Sequence, residues 1–299
     1  MKTLLLLALL GFSAALPLQG SQDLEDDVFL NMATDFNGTA KIPSDLIFGG
    51  SFATRGQFPW QAFLTLKKGR ASFICGGSLI SPQHIVTASH CTEDLDSGTA
   101  MVGLIDITTA YRTSGVQTKQ LKSFRRASKY TGTGNLVDDI AILTLDSDVT
   151  MSQYVKTVKI LKDDKDILDT PENTVSGFGT YRFRGGIEVT SNQLRYAEVD
   201  HIDHAACQRR WAQLSRNRVK IVDSQICAGS KGKGSGPGDS GGPLQVTVDK
   251  EAIQIGLVSF GADGETQMQD QASYPVVYTR VSSYCDFMEK GTDGLFKCQ

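Results

Sequence analysis

The stretch Gly238-Asp239-Ser240-Gly241-Gly242-Pro243 holds the residues best suited to nucleophilic chemistry. Glycines on both sides of Ser240 allow a tight backbone, so that amide N–H groups can converge on an oxyanion that develops beside the hydroxyl. A serine hydroxyl is a poor nucleophile near neutral pH. It needs a base, and the base needs a partner that fixes its tautomer. The stretch therefore predicts a serine nucleophile and directs attention to the histidines and carboxylates.

Of the four histidines, His90 has the most distinctive setting, since it follows an apolar pair, Ile85-Val86, and directly precedes Cys91. A disulfide at that cysteine would clamp the position of the imidazole. Among the carboxylates, Asp139 stands directly before the apolar stretch Ile140-Ala141-Ile142-Leu143. These settings favour His90 as the base and Asp139 as its partner, whereas His84 and Asp138 are expected to be surface residues beside them.

Short apolar runs broken by glycine and polar turns begin at Ile47, and they are typical of strands in an all-β barrel or sandwich. They include residues 61–66, 78–80, 140–145 and 253–260. One late segment, residues 284–290, predicts a helix, with Ser283 as the N-cap and Gly291 after its end. Residues 16–46 are polar and acidic without such a rhythm, which predicts a prosegment.

The 299 residues are 40% hydrophobic and 21% charged, as in ordinary globular proteins. A formal net charge of -3 gives no field that would attract nucleic acid or anionic lipid, so we expect neither as a partner. At the N-terminus, Lys2 precedes a short apolar run and small residues up to Ala15, which predicts a signal peptide over residues 1–15. Six cysteines then suit three disulfides in an exported protein. The sequon Asn37-Gly38-Thr39 predicts glycosylation of the precursor, and an unused sequon is the alternative.

In the order His, Asp, Ser, these stretches resemble the chymotrypsin and trypsin family of serine proteases over residues 47–287. Further matches are residues 47–50, 75–80, 175–180, 259–261 and 275–278. The resemblance implies two packed antiparallel β-barrels with a C-terminal helix, and an active site in the cleft between them. It also implies a protease domain over residues 47–299 without a cofactor, with protein or peptide substrates and protease inhibitors as partners. We expect a monomer.

The resemblance implies that Ser240 attacks the peptide bond, that His90 carries its proton and that Asp139 orients His90. The backbone N–H groups of Gly238 and Ser240 would form the oxyanion hole.

The resemblance also gives Asp239 a role in activation: its carboxylate would pair with the α-amino group of Ile47, which cleavage at Leu46-Ile47 releases. Most relatives have Arg or Lys where this chain has Leu46, so a trypsin-like activator is not expected.

The specificity pocket would differ from that of trypsin. By the family's spacing, its base lies six residues before the nucleophile, at Gly234, where no carboxylate is present to bind Arg or Lys. Ser259, Phe260 and Gly261 would offer the edge strand for an extended substrate, and Val276 would narrow the back wall. We therefore expect Leu, Met, Val or Ala to be preferred over Trp, Tyr and basic residues before the scissile bond.

The resemblance pairs Cys75 with Cys91 and Cys207 with Cys227, which leaves Cys285 and Cys298 to tie the C-terminal tail to the helix. The cysteine pair that usually joins the walls of the specificity pocket is missing at Gly236 and around Glu265, which predicts a more mobile pocket.

Two alternatives stay open. A catalytically silent homologue that acts as a binding protein usually lacks the serine, the histidine or a loop glycine, and this chain has all three. His201, His204 and Cys207 have the types of metal ligands, but Cys207 is expected in a disulfide and Asp203 resembles a helix N-cap. No counterpart of the calcium loop of some relatives is evident between Asp106 and Lys122, so we expect no metal.

Overall fold

Strands dominate residues 48–299, the part of the chain that the computed structural model describes. The expected signal peptide, the prosegment, the Asn37 sequon and the Leu46-Ile47 junction lie outside the described residues. Within residues 48–299, no helix is both long enough and apolar enough to cross a bilayer.

After a short first strand, β1 (Ser51–Phe52), six antiparallel strands close into a barrel in the order β2-β3-β4-β7-β6-β5. Alternate side chains of β2 point into this barrel, where Leu64 and Leu66 are fully buried, while Phe63 points to the opposite face. The strands of the first barrel are β2 (Gln61–Lys68), β3 (Ala71–Ser81), β4 (His84–Thr87), β5 (Ser97–Val102), β6 (Gln117–Arg126) and β7 (Ala141–Leu145).

The second barrel also has six antiparallel strands, in the order β8-β11-β12-β15-β14-β13, and pairing of β13 with β8 closes it. β1 adds to the edge of β11, and β9 and β10 form a separate hairpin. The strands after β7 are β8 (Glu172–Gly177), β9 (Thr180–Arg184), β10 (Ile187–Thr190), β11 (Arg195–Ile202), β12 (Gln225–Ala228), β13 (Pro243–Val248), β14 (Glu251–Phe260) and β15 (Val276–Arg280).

The two barrels pack through apolar and polar contacts. The ring of Phe63 meets that of Phe178 edge-on, with centroids 5.1 Å apart. Hydrogen bonds also cross the interface, among them those from the Trp60 indole to Gln245 Oε1 at 3.1 Å and from the Ser176 hydroxyl to Gln61 Oε1 at 2.7 Å. The predicted all-β class and the pair of barrels are therefore confirmed.

The helices differ in part from the sequence prediction. They are α1 (Lys165–Leu168), α2 (His204–Leu214), α3 (Glu265–Gln269) and α4 (Cys285–Gly291). The predicted C-terminal helix is present as α4, but Ser283 is not its N-cap, because the chain already turns as a 3₁₀ helix over Val281–Tyr284. The sequence analysis did not predict the extent of α2, although the Asp203 carboxylate does cap it by accepting from the Ala206 amide at 3.0 Å.

Three disulfides cross-link the described part of the chain. Cys75 bonds to Cys91, Cys207 to Cys227 and Cys285 to Cys298. The first ties β3 to the segment that carries His90, the second ties α2 to β12, and the third ties α4 to the C-terminal tail. Disulfides of this kind stabilise a fold by roughly 2 to 4 kcal/mol each.

Candidate active site

His90 and Asp139 form a hydrogen-bonded pair in the structure. The His90 ring contacts the buried carboxylate through Nδ1, 2.8 Å from Asp139 Oδ2, and the His90 backbone N–H donates to Oδ1 at 2.9 Å. Because a carboxylate only accepts, the Nδ1 atom carries the proton, which leaves Nε2 as the acceptor on the other side of the ring. The pair therefore holds the imidazole in the tautomer that a general base requires.

Two further side chains hold Asp139 in place. The Ser259 hydroxyl donates to Asp139 Oδ2 at 2.6 Å, and the Thr279 hydroxyl donates to its backbone carbonyl at 2.9 Å. Asp139 is 0% exposed. A buried carboxylate needs such partners, because desolvation without them costs several kcal/mol. Ser259 was expected only in the substrate-binding edge, so this contact adds a second role that the sequence did not disclose.

His90 sits on a 3₁₀ helix, Ser89–Thr92, that directly follows β4. The Ser89 hydroxyl donates to the carbonyl of Ile140 at 2.7 Å, and the neighbouring Cys91 is held by its disulfide. Asp139 stands just before β7, which pairs with β4. Pairing of these two strands therefore brings the histidine and the carboxylate to the same edge of the first barrel.

The environment of His90 favours its protonated form. Burial by itself would lower the pKa of the imidazole, but the hydrogen bond and the charge of Asp139, helped by Glu93, outweigh it and hold the pKa above the usual 6.5. The ring is thus a stronger base than a free imidazole.

Ser240 lies on a loop that belongs to the second barrel and packs against the first. Its backbone carbonyl accepts from the Gly76 amide at 2.8 Å, next to the disulfide-bonded Cys75. Gly241 has a φ of +75°, and a side chain there would overlap Thr87. The loop therefore approaches the strand that leads to His90. Within the described chain the Ser240 hydroxyl and the His90 ring share no hydrogen bond, and such catalytic contacts commonly tighten only when substrate binds.

Two amides of this loop have no acceptor among the described residues, those of Gly238 and Ser240. By contrast, the amides of Asp239, Gly241 and Gly242 each donate to a backbone carbonyl within 3.0 Å. Gly238 has a φ of +93°, a backbone conformation that residues other than glycine rarely adopt. A glycine in the left-handed region and two amides without an acceptor are the features that an oxyanion hole requires.

Asp239 is fully buried beneath the same loop. Its carboxylate accepts from the Gly179 amide at 2.7 Å and from the Gly236 amide at 2.9 Å. Burial raises the pKa of this carboxyl to about 6, although both amides act to lower it. Phe48, the first described residue, is buried nearby, with its carbonyl accepting from the Gly234 amide at 3.2 Å. The carboxylate of Asp239 therefore occupies a site where a cation would be strongly stabilised.

A cavity of about 280 Å³ opens beside Ser240. Val276 lines one side, and a β-carbon added at Gly261 would come within 3.3 Å of its Cγ2 atom. The two walls therefore approach each other closely. The cavity is lined by Ser235, Gly236, Pro237, Ser240, Val258, Ser259, Phe260, Gly261, Ala262, Asp263, Gln267, Met268, Gln271, Tyr274 and Val276.

Gly234 is not among the lining residues, contrary to its expected place at the base of the pocket. The carboxamide of Gln271 lies against it, so closely that a side chain on Gly234 would overlap the Gln271 Oε1 atom. Ser235 and Gln271, at 3% and 2% exposed, are the most deeply buried of the lining residues, so we assign the base of the cavity to them. No sequence signal could identify Gln271, because only the fold brings it to Ser235, 36 residues away along the chain.

The wall of the cavity rests on α2. The Trp211 ring packs edge-on against Phe260 with centroids 5.1 Å apart, and its indole N–H donates to the Pro275 carbonyl at 3.1 Å. Trp211 thus supports both strands that flank the cavity, β14 and the start of β15.

The other titratable residues singled out in the sequence lie elsewhere. His84 is buried rather than at the surface, 2.8 Å from the Ser81 hydroxyl, and burial lowers its pKa. Asp138 is half-buried and accepts from the Tyr284 hydroxyl at 2.7 Å. Both were expected at the surface; the packing of the C-terminal segment and the first barrel covers them.

The histidine and cysteine group considered as metal ligands does not converge within residues 48–299. His201 faces Asp169 at 3.5 Å and His204 faces Asp223 at 4.0 Å, while the sulfur of Cys207 is bonded to Cys227. Each histidine therefore has a carboxylate of its own, and Cys207 has no thiolate to offer.

Comparison with known proteins identifies the family of the chain. The family model described as Trypsin matches residues 47–288. Coagulation factor IX of Oryctolagus cuniculus is 33% identical over 246 residues, which cover 81% of this chain and 82% of that protein. CLIP domain-containing serine protease B10 of Anopheles gambiae is 32% identical over 267 residues, covering 83% and 70%. Trypsin delta of Drosophila melanogaster is 32% identical over 241 residues, covering 79% and 85%.

Two closed six-stranded barrels and a serine loop that meets a histidine–carboxylate pair define the class of serine proteases with a chymotrypsin-like fold. The chain belongs to the trypsin family, and it is a serine endopeptidase.

Proposed function

We propose that this chain is the secreted precursor of an endopeptidase that uses Ser240, His90 and Asp139 as its catalytic triad and cleaves after apolar residues of intermediate size. The observation that carries the proposal is the Asp139 carboxylate, which is fully buried, contacts His90 Nδ1 at 2.8 Å and is itself held by Ser259. That arrangement leaves Nε2 of His90 free to accept a proton.

In the first half of the reaction, the Ser240 oxygen forms a bond to the carbonyl carbon of the substrate, and its proton moves to His90 Nε2. The negative charge on the carbonyl oxygen is stabilised by the Gly238 and Ser240 amides, which have no other acceptor in the described chain. His90 then gives the proton to the nitrogen of the leaving amine, the C–N bond breaks and an acyl-enzyme remains.

In the second half, water attacks the acyl carbon while His90 accepts its proton. The second tetrahedral intermediate collapses, the bond to the Ser240 oxygen breaks, and His90 returns the proton to that oxygen. The acid product leaves and the enzyme is restored. Asp139 stabilises the imidazolium in both halves without taking the proton.

Activation would follow from cleavage at Leu46-Ile47. A cation would stabilise the buried carboxylate of Asp239, and the new α-ammonium group of Ile47 would supply that cation. Phe48, the next residue, already lies buried against the Gly234 amide, close to this loop. Leu46 suits an apolar pocket, so we propose that activation can occur between molecules of the enzyme itself.

Specificity would rest on apolar contact, because the buried lining residues are uncharged and the one charged lining residue, Asp263, is exposed. Apolar contact distinguishes two substrates by about 0.8 kcal/mol for each buried methylene in which they differ. Aliphatic side chains of similar size are therefore cleaved at different rates, but none of them is excluded. With Val276 close to Gly261 across the cavity, Leu, Met, Val and Ala are preferred over Trp, Tyr and basic residues.

A serine-directed phosphonate probe tests the proposed nucleophile. After cleavage at Leu46-Ile47, the probe should label the wild-type protein, and mass spectrometry should place the adduct on Ser240. His90→Ala should label far more slowly, whereas His84→Ala, which changes a buried histidine outside the site, should label at a rate close to that of wild type. Equal labelling of wild type and Ser240→Ala would sink the proposal.

A further inference from the structure

Gln271 is one of the two buried polar residues at the base of the cavity beside Ser240. It is 2% exposed, and its Nε2 group donates to the carbonyl of Ser235 at 2.7 Å and to that of Met268 at 3.2 Å. Because both acceptors are carbonyls, they fix which end of the carboxamide is nitrogen. The side chain is therefore locked in one orientation.

Gly234 and Gln271 fit each other as a pair. Gly234 has a φ of +148°, and a β-carbon there would overlap the carboxamide of Gln271. Gln271 lines the cavity, whereas Gly234 does not. The amide thus fills the space that a side chain at position 234 would use, and it separates Gly234 from the cavity.

The amide also connects the two sides of the cavity. Ser235 belongs to the segment that leads to Ser240, while Met268 belongs to α3 on the opposite side. Neither side carries a cysteine at this point. Of the two hydrogen bonds from Nε2, the one to Ser235 joins the two sides, and the one to Met268 stays within the segment that carries Gln271.

We propose that Gln271 is the specificity-determining residue that sets the depth of the substrate pocket, and that it excludes side chains longer than those of Leu and Met. This inference rests on the proposed function, whose substrate preference it refines. The reason is steric: a rotamer locked by two hydrogen bonds at the base cannot move aside for a longer side chain without leaving the buried Ser235 carbonyl and the half-buried Met268 carbonyl unpaired. Val276 limits the width of the pocket, and Gln271 limits its depth.

The test uses peptide amides that differ only in the residue before the scissile bond, with Leu, Met and Phe compared on wild type and variants. In Gln271→Ala, the ratio of kcat/KM for Phe to that for Leu should rise roughly tenfold or more, since space opens over Gly234. The change should appear mainly in KM, as expected for added ground-state binding. Gln271→Asn, which shortens the side chain by one carbon and keeps the amide, should raise the ratio about fourfold, the equivalent of one methylene.

Two controls separate depth from general loosening of the pocket. Gln271→Met keeps the length but removes both hydrogen bonds, so its side chain still fills the space although nothing locks it there, and the Phe-to-Leu ratio should rise clearly less than in Gln271→Ala. Gln269→Ala removes an exposed glutamine of α3 that does not line the cavity, and it should leave the ratio within about twofold of wild type.

Each enzyme is first titrated with the phosphonate probe, so that rates refer to active molecules. A wild-type protein that fails to titrate would refute the proposed function itself. An unchanged ratio in titrating Gln271→Ala or Gln271→Asn, or a rise in Gln271→Met as large as in the alanine variant, would overturn the role of Gln271 alone.

Discussion

Asp239→Asn should abolish most of the activity that cleavage at Leu46-Ile47 confers. Burial raises the pKa of the Asp239 carboxyl from its ordinary 3.8 to about 6. Since each pKa unit corresponds to about 1.4 kcal/mol, an ionised carboxylate at this site costs about 3 kcal/mol when no cation accompanies it. That free energy corresponds to about a 100-fold shift in population. The uncleaved precursor should therefore have roughly 1% or less of the activity of the cleaved enzyme.

In Asp239→Asn, the new ammonium group would meet a neutral amide. A buried ammonium without a counter-charge is strongly disfavoured, so the N-terminus should stay out of the site and the oxyanion loop should lose its support. We expect kcat/KM of the cleaved variant to fall at least about 100-fold, close to the level of the precursor.

The assay places Leu46→Arg in every precursor, so that immobilised trypsin can produce the same Ile47 terminus in each. N-terminal sequencing should read Ile-Phe-Gly-Gly, and kcat/KM for a peptide amide is then compared before and after cleavage. Asp138→Asn is the matched control: it removes a carboxylate that is half-buried at a φ of 59°, which asparagine tolerates. The control should retain the gain on cleavage. A cleaved Asp239→Asn enzyme within tenfold of the cleaved parent would refute the reasoning.

Three further predictions follow from the site and its supports. Because Asp139 holds the pKa of His90 above 6.5 and only the neutral imidazole can accept the serine proton, kcat/KM should fall as pH drops through a value above 6.5. Asp139→Asn should move this fall in kcat/KM to lower pH and reduce kcat by about 10⁴-fold. A rate that is flat from pH 8 to pH 5 would contradict the assignment of His90 as the base. Val276→Gly should widen the pocket and improve Phe and Tyr substrates relative to Ala by roughly tenfold, measured on the same peptide panel; a wild-type preference for Arg or Lys would refute the pocket argument. Trp211→Ala removes the packing against Phe260 and the hydrogen bond to Pro275, and it should lower the free energy of unfolding by about 3 kcal/mol. A chemical denaturation midpoint equal to that of wild type would show that α2 does not support the wall of the substrate cavity.

The sequence predicted the parts of the fold whose signals are local. The runs that became β2, β7 and β14 have the length and the apolar composition of buried strands. α2 lacked a comparable signal: only Cys207 and Trp211 are buried in it, so its apolar face is too narrow to produce a helical period. The 3₁₀ turn before α4 depends on the packing of Tyr284, which a capping pattern does not register.

In the candidate site, too, the sequence predicted the residues whose signals are local and missed the contacts between distant segments. The loop around Ser240 and the settings of His90 and Asp139 could be recognised because their neighbours along the chain carry the signal. The second contact of Ser259 with Asp139 and the place of Gln271 depend on approaches between segments 120 and 36 residues apart. A spacing rule placed Gly234 at the base of the pocket, but it could not register that another segment covers that glycine.

The most direct test of the account is peptide amide hydrolysis by the cleaved enzyme with and without the Ser240 hydroxyl. Wild type and Ser240→Ala are compared at pH 8 after both show the same N-terminus and the same melting temperature. In Ser240→Ala, kcat should fall by about 10⁶-fold, because the nucleophile, the base and its partner act as one unit. A Ser240→Ala enzyme that cleaves the amide within tenfold of wild type would contradict the role of Ser240 as the nucleophile.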